Sequence, residues 1–165
     1  MRTFAIALTV TLLTAALTAQ QKGAATQAMK TYTSAADVNA LIAKAKTDRK
    51  DNQPTVSQRL LSIAPYSANL EYRAAVGPAA VHEKEAELFY VVDGSGTLVT
   101  GGKLTAESRT NPENLSGTGI EGGTSQNVGK GDFIAVPENT PHWFSKINGT
   151  LVLMSLHVPR PLPAH

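Results

Sequence analysis

The stretch VHEKEAELFYVVDG, residues 81–94, constrains the fold of this chain more than any other part of it. It contains His82 and then Glu87, which opens the β-prone run at 88–92. Burying a carboxylate inside an apolar strand costs free energy unless a partner compensates its charge, and a metal ion is a common partner. The sequence therefore predicts a strand that starts at a compensated carboxylate and ends at the Gly-containing turn 93–96.

A second stretch, GDFIAVPENTPH at 131–142, supplies a complementary ligand type. It predicts another strand, which leads through a Pro/Asn/Pro turn to His142. Two histidines and one carboxylate, each at a strand end or start, can form one face of a divalent metal site. We therefore expect His82, Glu87 and His142 to converge on one ion.

Short β-prone runs dominate the rest of the chain. The 13 glycines and 9 prolines predict many turns. Because little helical periodicity separates the runs, the predicted fold class is all-β, an antiparallel sandwich or barrel. The polar, Gly-rich segment 101–130 is predicted to be a long loop with one strand near 125–128. The other predicted strands are 56–63, 69–76, 79–82, 87–92, 97–100, 132–136, 142–147 and 151–158.

The first residues have the pattern of a signal peptide. Arg2 precedes an uncharged apolar run at 4–17, and Ala19 offers a small residue for cleavage before Gln20. The run is shorter than the roughly 20 residues that span a bilayer. We predict a signal peptide at 1–19 and an exported mature chain, periplasmic or extracellular, that is not membrane-bound after cleavage. A buried first helix is the alternative.

Residues 20–54 are predicted to form a lead-in and one amphipathic helix outside the main domain, which spans 55–160. Ser34 can cap this helix, with Asp37 in the third position after it. Apolar residues then recur at helical spacing in a narrow stripe, which favours packing on the outside of the domain over a membrane-surface or partner helix. They are Val38, Leu41, Ile42 and Ala45.

Charge and cysteine content exclude several classes of function. The chain has 15 basic and 13 acidic residues and a formal net charge of +2, which is too even for a nucleic-acid-binding surface. It has no cysteine, which excludes disulfides, thiolate metal ligands and a cysteine nucleophile. The spelling G-x-G-x-x-G at 117–122 lies in a polar segment without a preceding strand, so a dinucleotide site is not expected.

From about residue 70 to 158 the chain resembles the cupin superfamily. The resemblance rests on two spaced motifs: Gly77, His82, Glu87 and Gly94 in the first, and Gly131, Pro137, Asn139 and His142 in the second. Asn139 replaces a frequent glycine and tolerates the left-handed turn geometry. The resemblance implies a jelly-roll β-barrel of two facing sheets with a metal site inside it.

One residue departs from the superfamily pattern. Ala80 stands where the first histidine of a His-x-His pair is usual, so the implied ligand set is reduced to His82, Glu87 and His142. Three ligands still suffice for iron, manganese or zinc, with water or substrate in the other positions. The other reading is a relative that has lost tight metal binding and uses the barrel as a plain pocket.

The resemblance implies a small-molecule protein with a divalent metal in a 2-His-1-carboxylate site. Oxygenase, isomerase and lyase chemistries are all compatible with such a site, and fold alone does not choose among them. The alternative is a non-catalytic module that binds a sugar or another small molecule without a functional metal. A homodimer is also implied by the resemblance.

Other polar residues near the motifs are given structural readings. His157 and His165 carry no motif and are interpreted as incidental. Glu85 is interpreted as part of an exposed charged turn that could swing in to replace a ligand. Strand alternation places Phe89, Val91 and Phe144 in the barrel interior and turns Trp143 outward. Partial burial of Trp143 under the helix is favoured over a position in an interface.

Overall fold

The structure is a computed structural model that describes residues 28–160. The predicted signal peptide at 1–19 and His165 lie outside the described residues. Within 28–160, no helix combines the length and apolar character needed to cross a membrane.

The described part of the chain is a mostly antiparallel β-structure with one helix, as predicted. The elements are α1 (Ala35–Asp48), β1 (Thr55–Ile63), β2 (Tyr66–Arg73), β3 (Ala79–His82), β4 (Glu85–Thr100), β5 (Lys103–Thr105), β6 (Ser108–Asn111), β7 (Asn114–Gly117), β8 (Gly119–Glu121), β9 (Thr124–Gly129), β10 (Phe133–Val136) and β11 (His142–Pro159).

The helix α1 begins where its cap predicts. Ser34 accepts a hydrogen bond from the Asp37 backbone N–H, and the Asp37 carboxylate accepts one from the Ser34 backbone N–H. This reciprocal capping satisfies two of the free N–H groups at the start of a helix. The apolar stripe, with Ala45 fully buried, packs against residues of β1 and β2, which confirms the predicted outside position.

The long strands β4 and β11 pair with each other from Glu85–Pro159 at one end to Thr100–His142 at the other. The predicted turn at 93–96 is therefore wrong, because β4 runs through it without reversing. Gly94 lets the strand bend there, with φ of +82°. A side chain at this position would place its Cβ 2.0 Å from the Thr150 carbonyl oxygen of β11, so only glycine fits.

The paired strands fold back so that their two ends face each other. His142 and His157 stand near opposite ends of β11, yet both contact Glu87. Fully extended, fifteen residues would separate them by roughly 50 Å. The first half of β4 pairs with β10 and the second half with β9, while β11 pairs with β3 near its start and with β2 later. The result is the predicted barrel of two facing layers.

Apolar side chains from both layers meet in the interior. Phe89 and Val91 are fully buried, and the Phe89 and Phe144 rings pack edge to face with centroids 5.4 Å apart. These interior positions were predicted from strand alternation and are confirmed. A second apolar cluster fills the space between α1 and the outer face of the sheet.

The segment 101–130 and Trp143 differ from expectation. The segment carries β5 to β9 rather than one strand, because polar, exposed strands such as β6 give no apolar alternation in the sequence. Trp143 turns away from the interior but does not lie under α1. Its indole N–H donates to the Gly77 carbonyl oxygen at 2.9 Å, and its ring lies against Gly119 of β8.

Replacing Gly94 by alanine is expected to destabilise the protein far more than replacing Gly101 by alanine. Both glycines have positive φ, +82° and +75°. Each alanine therefore carries left-handed strain of about 1–2 kcal/mol. Only at Gly94 does the new Cβ also meet backbone, since nothing lies within 4 Å at Gly101. Urea unfolding should show a loss of about 1–2 kcal/mol for Gly101→Ala and roughly 3 kcal/mol or more for Gly94→Ala. Equal losses would contradict the close approach of β4 and β11.

Candidate metal centre

The structure brings His82, Glu87 and His142 together inside the barrel. The Glu87 Oε2 atom lies 3.1 Å from His142 Nε2 and 3.3 Å from His82 Nε2. One ligand atom from each residue falls within 4.8 Å of the others, so the three could hold a metal ion. That they ligate one remains a prediction.

Strand register explains why these residues meet. Glu87 lies near the start of β4, and His142 begins β11 at the far end of the folded pair. His142 pairs with Ala80 of β3, and His82 follows two residues later on the same face. Ala80 thus stands beside His142, facing the site with a methyl group that cannot ligate.

His157 also belongs to this cluster, so its interpretation as incidental is wrong. It is the cross-strand neighbour of Glu87 in the β4–β11 pair, and its Nε2 atom lies 3.3 Å from Glu87 Oε1. Glu85, two residues before Glu87 on the same face, contacts His157 Nδ1 through Oε2 at 3.0 Å. Glu85 is the first residue of β4, so its interpretation as part of an exposed turn is wrong.

Each imidazole has an oxygen acceptor on its outer nitrogen. His82 Nδ1 lies 2.7 Å from Asn114 Oδ1, and His142 Nδ1 lies 3.1 Å from the Thr140 carbonyl oxygen. The Glu85 carboxylate occupies the same position for His157. Acceptors require N–H at Nδ1, so the Nε2 atoms of the neutral rings present lone pairs towards Glu87. This arrangement is typical of metal-binding histidines, whose outer partners fix the tautomer.

A cation at the centre resolves the proton balance of the cluster. In neutral rings, the Nε2 lone pairs lie 3.1–3.3 Å from the carboxylate oxygens of Glu87. They repel these oxygens unless a proton or a metal ion lies between the two groups. Protonating every ring would place three imidazolium cations around the single buried Glu87 carboxylate, which is costly in a low-dielectric interior. Ligands about 2.1 Å from one ion lie roughly 3.0–3.4 Å apart. The observed contacts match that spacing, so the residues fit a divalent ion.

The same contacts shift the pKa values of the cluster. Burial raises the pKa of Glu87, but hydrogen bonds from His142, His157 and His82 outweigh it and hold this pKa well below its usual range. Burial lowers the pKa of His82, yet its bonds to Glu87 and Asn114 leave it above the ordinary value. The bond to Glu87 raises the pKa of His157 despite its burial. Without a metal ion, the rings of His82 and His157 thus hold a proton more readily than free imidazole, and this proton stands where an ion would otherwise compensate Glu87.

The cluster is open on one side. The side chains of His82 and His157 are each 19% exposed, against 7% for His142 and 5% for Glu87. A cleft of about 450 Å³ adjoins Glu85, while His82, Glu87, His142 and His157 do not line it. Its other lining residues are Pro65, Tyr66, Lys84, Glu113, Pro159 and Arg160. A separate apolar cavity of about 390 Å³ lies over the outer face of the sheet, near Tyr90 and Phe133, and none of the cluster residues line it.

Removing the amide that holds His82 should weaken metal binding. Asn114→Ala is expected to raise the dissociation constant for Zn(II) about 10- to 100-fold, because loss of an outer partner frees the ring to rotate. Asn127→Ala is the matched control, since Asn127 lies on β9 and its Oδ1 accepts an exposed hydrogen bond from Thr97 of β4. Competition with a chromophoric chelator measures both. Equal affinities for the two variants would contradict the orienting role of Asn114.

Metal binding should release protons and weaken as the pH falls. The raised pKa values of His82 and His157 mean that these rings keep a proton to higher pH than free imidazole, at about 6.5. An incoming ion must displace such protons, so affinity decreases as the pH drops through this region. Calorimetry in buffers of different ionisation enthalpy counts the released protons. Binding without proton release between pH 6 and 7 would contradict the assigned ligands.

Comparisons with known proteins show which family the chain belongs to. Among solved structures, an iron(II) form of HppE aligns at 17% identity and a TM-score of 0.49, covering 67% of this chain and 53% of that chain. The aligned part thus spans about half the length of HppE. KdgF from Halomonas sp. aligns at 16% identity and a TM-score of 0.49, covering 68% and 87%.

A putative mannose-6-phosphate isomerase from Ralstonia eutropha aligns at 15% identity and a TM-score of 0.47, covering 68% of this chain and 92% of that one. Likenesses this distant do not assign chemistry to this chain. A search of curated proteins gives no match. The cupin family model, in contrast, matches residues 37–159. This range includes the paired strands β4 and β11 and the residues of the cluster around Glu87. The chain therefore belongs to the cupin family.

Proposed function

We propose that this protein binds one divalent metal ion through His82, Glu87 and His142 and acts with it on a small organic molecule. The observation that carries the proposal is the convergence of imidazole Nε2 atoms on the buried carboxylate of Glu87. Iron, manganese and zinc all accept this mixture of nitrogen and oxygen ligands.

The chain's own residues would define what the ion can do. Glu87 would lower the net charge of a bound ion, while Asn114 and Thr140 hold the Nδ1 atoms of His82 and His142 and so direct their Nε2 atoms at Glu87. A bound ion would supply Lewis-acid polarisation of a substrate oxygen or, for iron, a place to activate dioxygen. Oxygenase, isomerase and lyase reactions all use such a site, and the fold does not choose among them.

The approach route supports a small substrate. A cleft beside the cluster is lined by Glu85, whose carboxylate contacts His157 Nδ1, while none of the three proposed ligands lines it. Its volume of about 450 Å³ lies in the range of small-molecule sites. The packed rings of Phe89 and Phe144 close the interior behind the cluster. We infer that a substrate held in this cleft would approach the ion past Glu85 and His157.

Ala80 favours a second candidate function. It removes one imidazole from the pattern usual in the superfamily, so a non-catalytic module that binds a sugar or another small molecule is the competing proposal.

Export after cleavage near Ala19 and a homodimer remain part of the proposal. Tyr32 and Phe133 are 74% and 70% exposed beside the outer apolar cavity and offer surface for such a dimer.

Elemental analysis of untagged protein separates the two functions. We expect about one equivalent of Fe, Mn or Zn in the wild type and loss of most of it in His142→Ala, because that variant removes a ligand. Asn127→Ala is the control, since it shortens an exposed side chain of β9 whose Oδ1 accepts a hydrogen bond from Thr97. A wild type that binds a small molecule but takes up no metal would contradict the proposal and support the binding module.

A further inference from the structure

We propose that His157 is a fourth protein ligand of the same ion, supplied by the last strand in place of the imidazole that Ala80 lacks. The inference rests on the proposed function, because it assumes that Glu87 holds a metal. It changes the site from two imidazoles and one carboxylate to three imidazoles and one carboxylate.

The contact of His157 with Glu87 resembles that of His82, and ligand atoms of His157, His82 and Glu85 also lie within 4.8 Å of one another. The His157 Nε2 atom lies 3.3 Å from Glu87 Oε1, as His82 Nε2 lies 3.3 Å from Glu87 Oε2. Its ring centroid is 4.9 Å from that of His82, closer than the 5.3 Å between His82 and His142. His82 thus stands between two imidazoles, and both oxygens of Glu87 face Nε2 atoms.

Glu85 gives His157 the orientation that a ligand needs. Its carboxylate accepts from Nδ1 at 3.0 Å, which leaves Nε2 as the atom directed at Glu87. A carboxylate on the outer nitrogen of a histidine is a frequent partner of metal-binding imidazoles and increases their basicity. Glu85 and Glu87 lie two residues apart on one face of β4, so the strand sets the outer and inner contacts of the ring together.

Strand register explains how a ligand can come from this unusual place. Ala80 adjoins His142 in the layer that contains β3, whereas His157 pairs directly with Glu87 in the other layer. Folding of the β4–β11 pair brings the two layers face to face around the carboxylate. The end of β11 would therefore supply a ligand from the layer opposite β3, where Ala80 supplies none.

The competing role for His157 is that of a positioning residue, a protonated ring that only donates a hydrogen bond to Glu87 Oε1. The two roles differ in the number of imidazoles bound to the ion. X-ray absorption of the Co(II)- or Zn(II)-loaded protein counts them from the scattering of the rings. We expect three imidazoles in the wild type and two in His157→Ala.

Affinity for Co(II) or Zn(II) gives an independent measurement. Glu85→Gln should weaken binding about 10-fold, as loss of an outer partner does. His157→Ala should weaken it by more than the roughly 100-fold upper limit of such effects. Adding Ala80→His to His157→Ala should restore much of the affinity, because it returns an imidazole beside His142. His157→Gln serves if the alanine variant does not fold, and circular dichroism of each variant without metal checks the fold.

Three results would overturn the inference, and they show whether the proposed function fails with it. A wild type with only two bound imidazoles, or a His157→Ala variant with unchanged affinity and unchanged imidazole count, contradicts the ligand role of His157 and leaves the proposed function intact. A wild type that takes up no Co(II) or Zn(II) overturns both.

Discussion

The carboxylate of Glu87 is the constraint on which the rest of this structure depends. It is 4% exposed, and the three imidazoles that compensate its charge come from two strands. His82 arrives on β3, while His142 and His157 arrive from the two ends of β11. An unpaired charge at this depth would cost several kcal/mol. The folded β4–β11 pair therefore forms the centre of the barrel and also brings the residues of the site together.

The polar cluster and the apolar core are continuous. The Phe89 ring lies 6.2 Å from that of His142 and 5.4 Å from that of Phe144, so aromatic side chains form the inner wall of the site. A low-dielectric wall strengthens electrostatic interactions on the side it covers. The less buried part of the cluster is formed by His82 and His157, whose side chains are each 19% exposed, and Glu85 beside His157 lines the cleft. An ion in this position would be backed by the apolar interior.

The sequence predicted the fold class, the helix cap and three residues that meet in the site, because each has a local signal: alternation, capping spacing or a spaced motif. It did not predict the role of His157. Fifteen residues after His142, in a strand without a motif, this histidine meets Glu87 only through cross-strand register. The shared face of Leu151, Leu153 and His157 was the available signal. The turn expected at 93–96 failed for a related reason, since glycine permits a bend as readily as a reversal.

The central claim is that Glu87 and the surrounding imidazoles hold one divalent ion, and anomalous diffraction tests it most directly. Crystals grown with Co(II) and measured on both sides of the cobalt absorption edge would locate the ion without assumptions about coordination. The account predicts one strong peak about 2.0–2.3 Å from Glu87 and from the Nε2 atoms of His82 and His142. A fully occupied cobalt elsewhere in the molecule, with these side chains turned apart or linked only by hydrogen bonds, would contradict it.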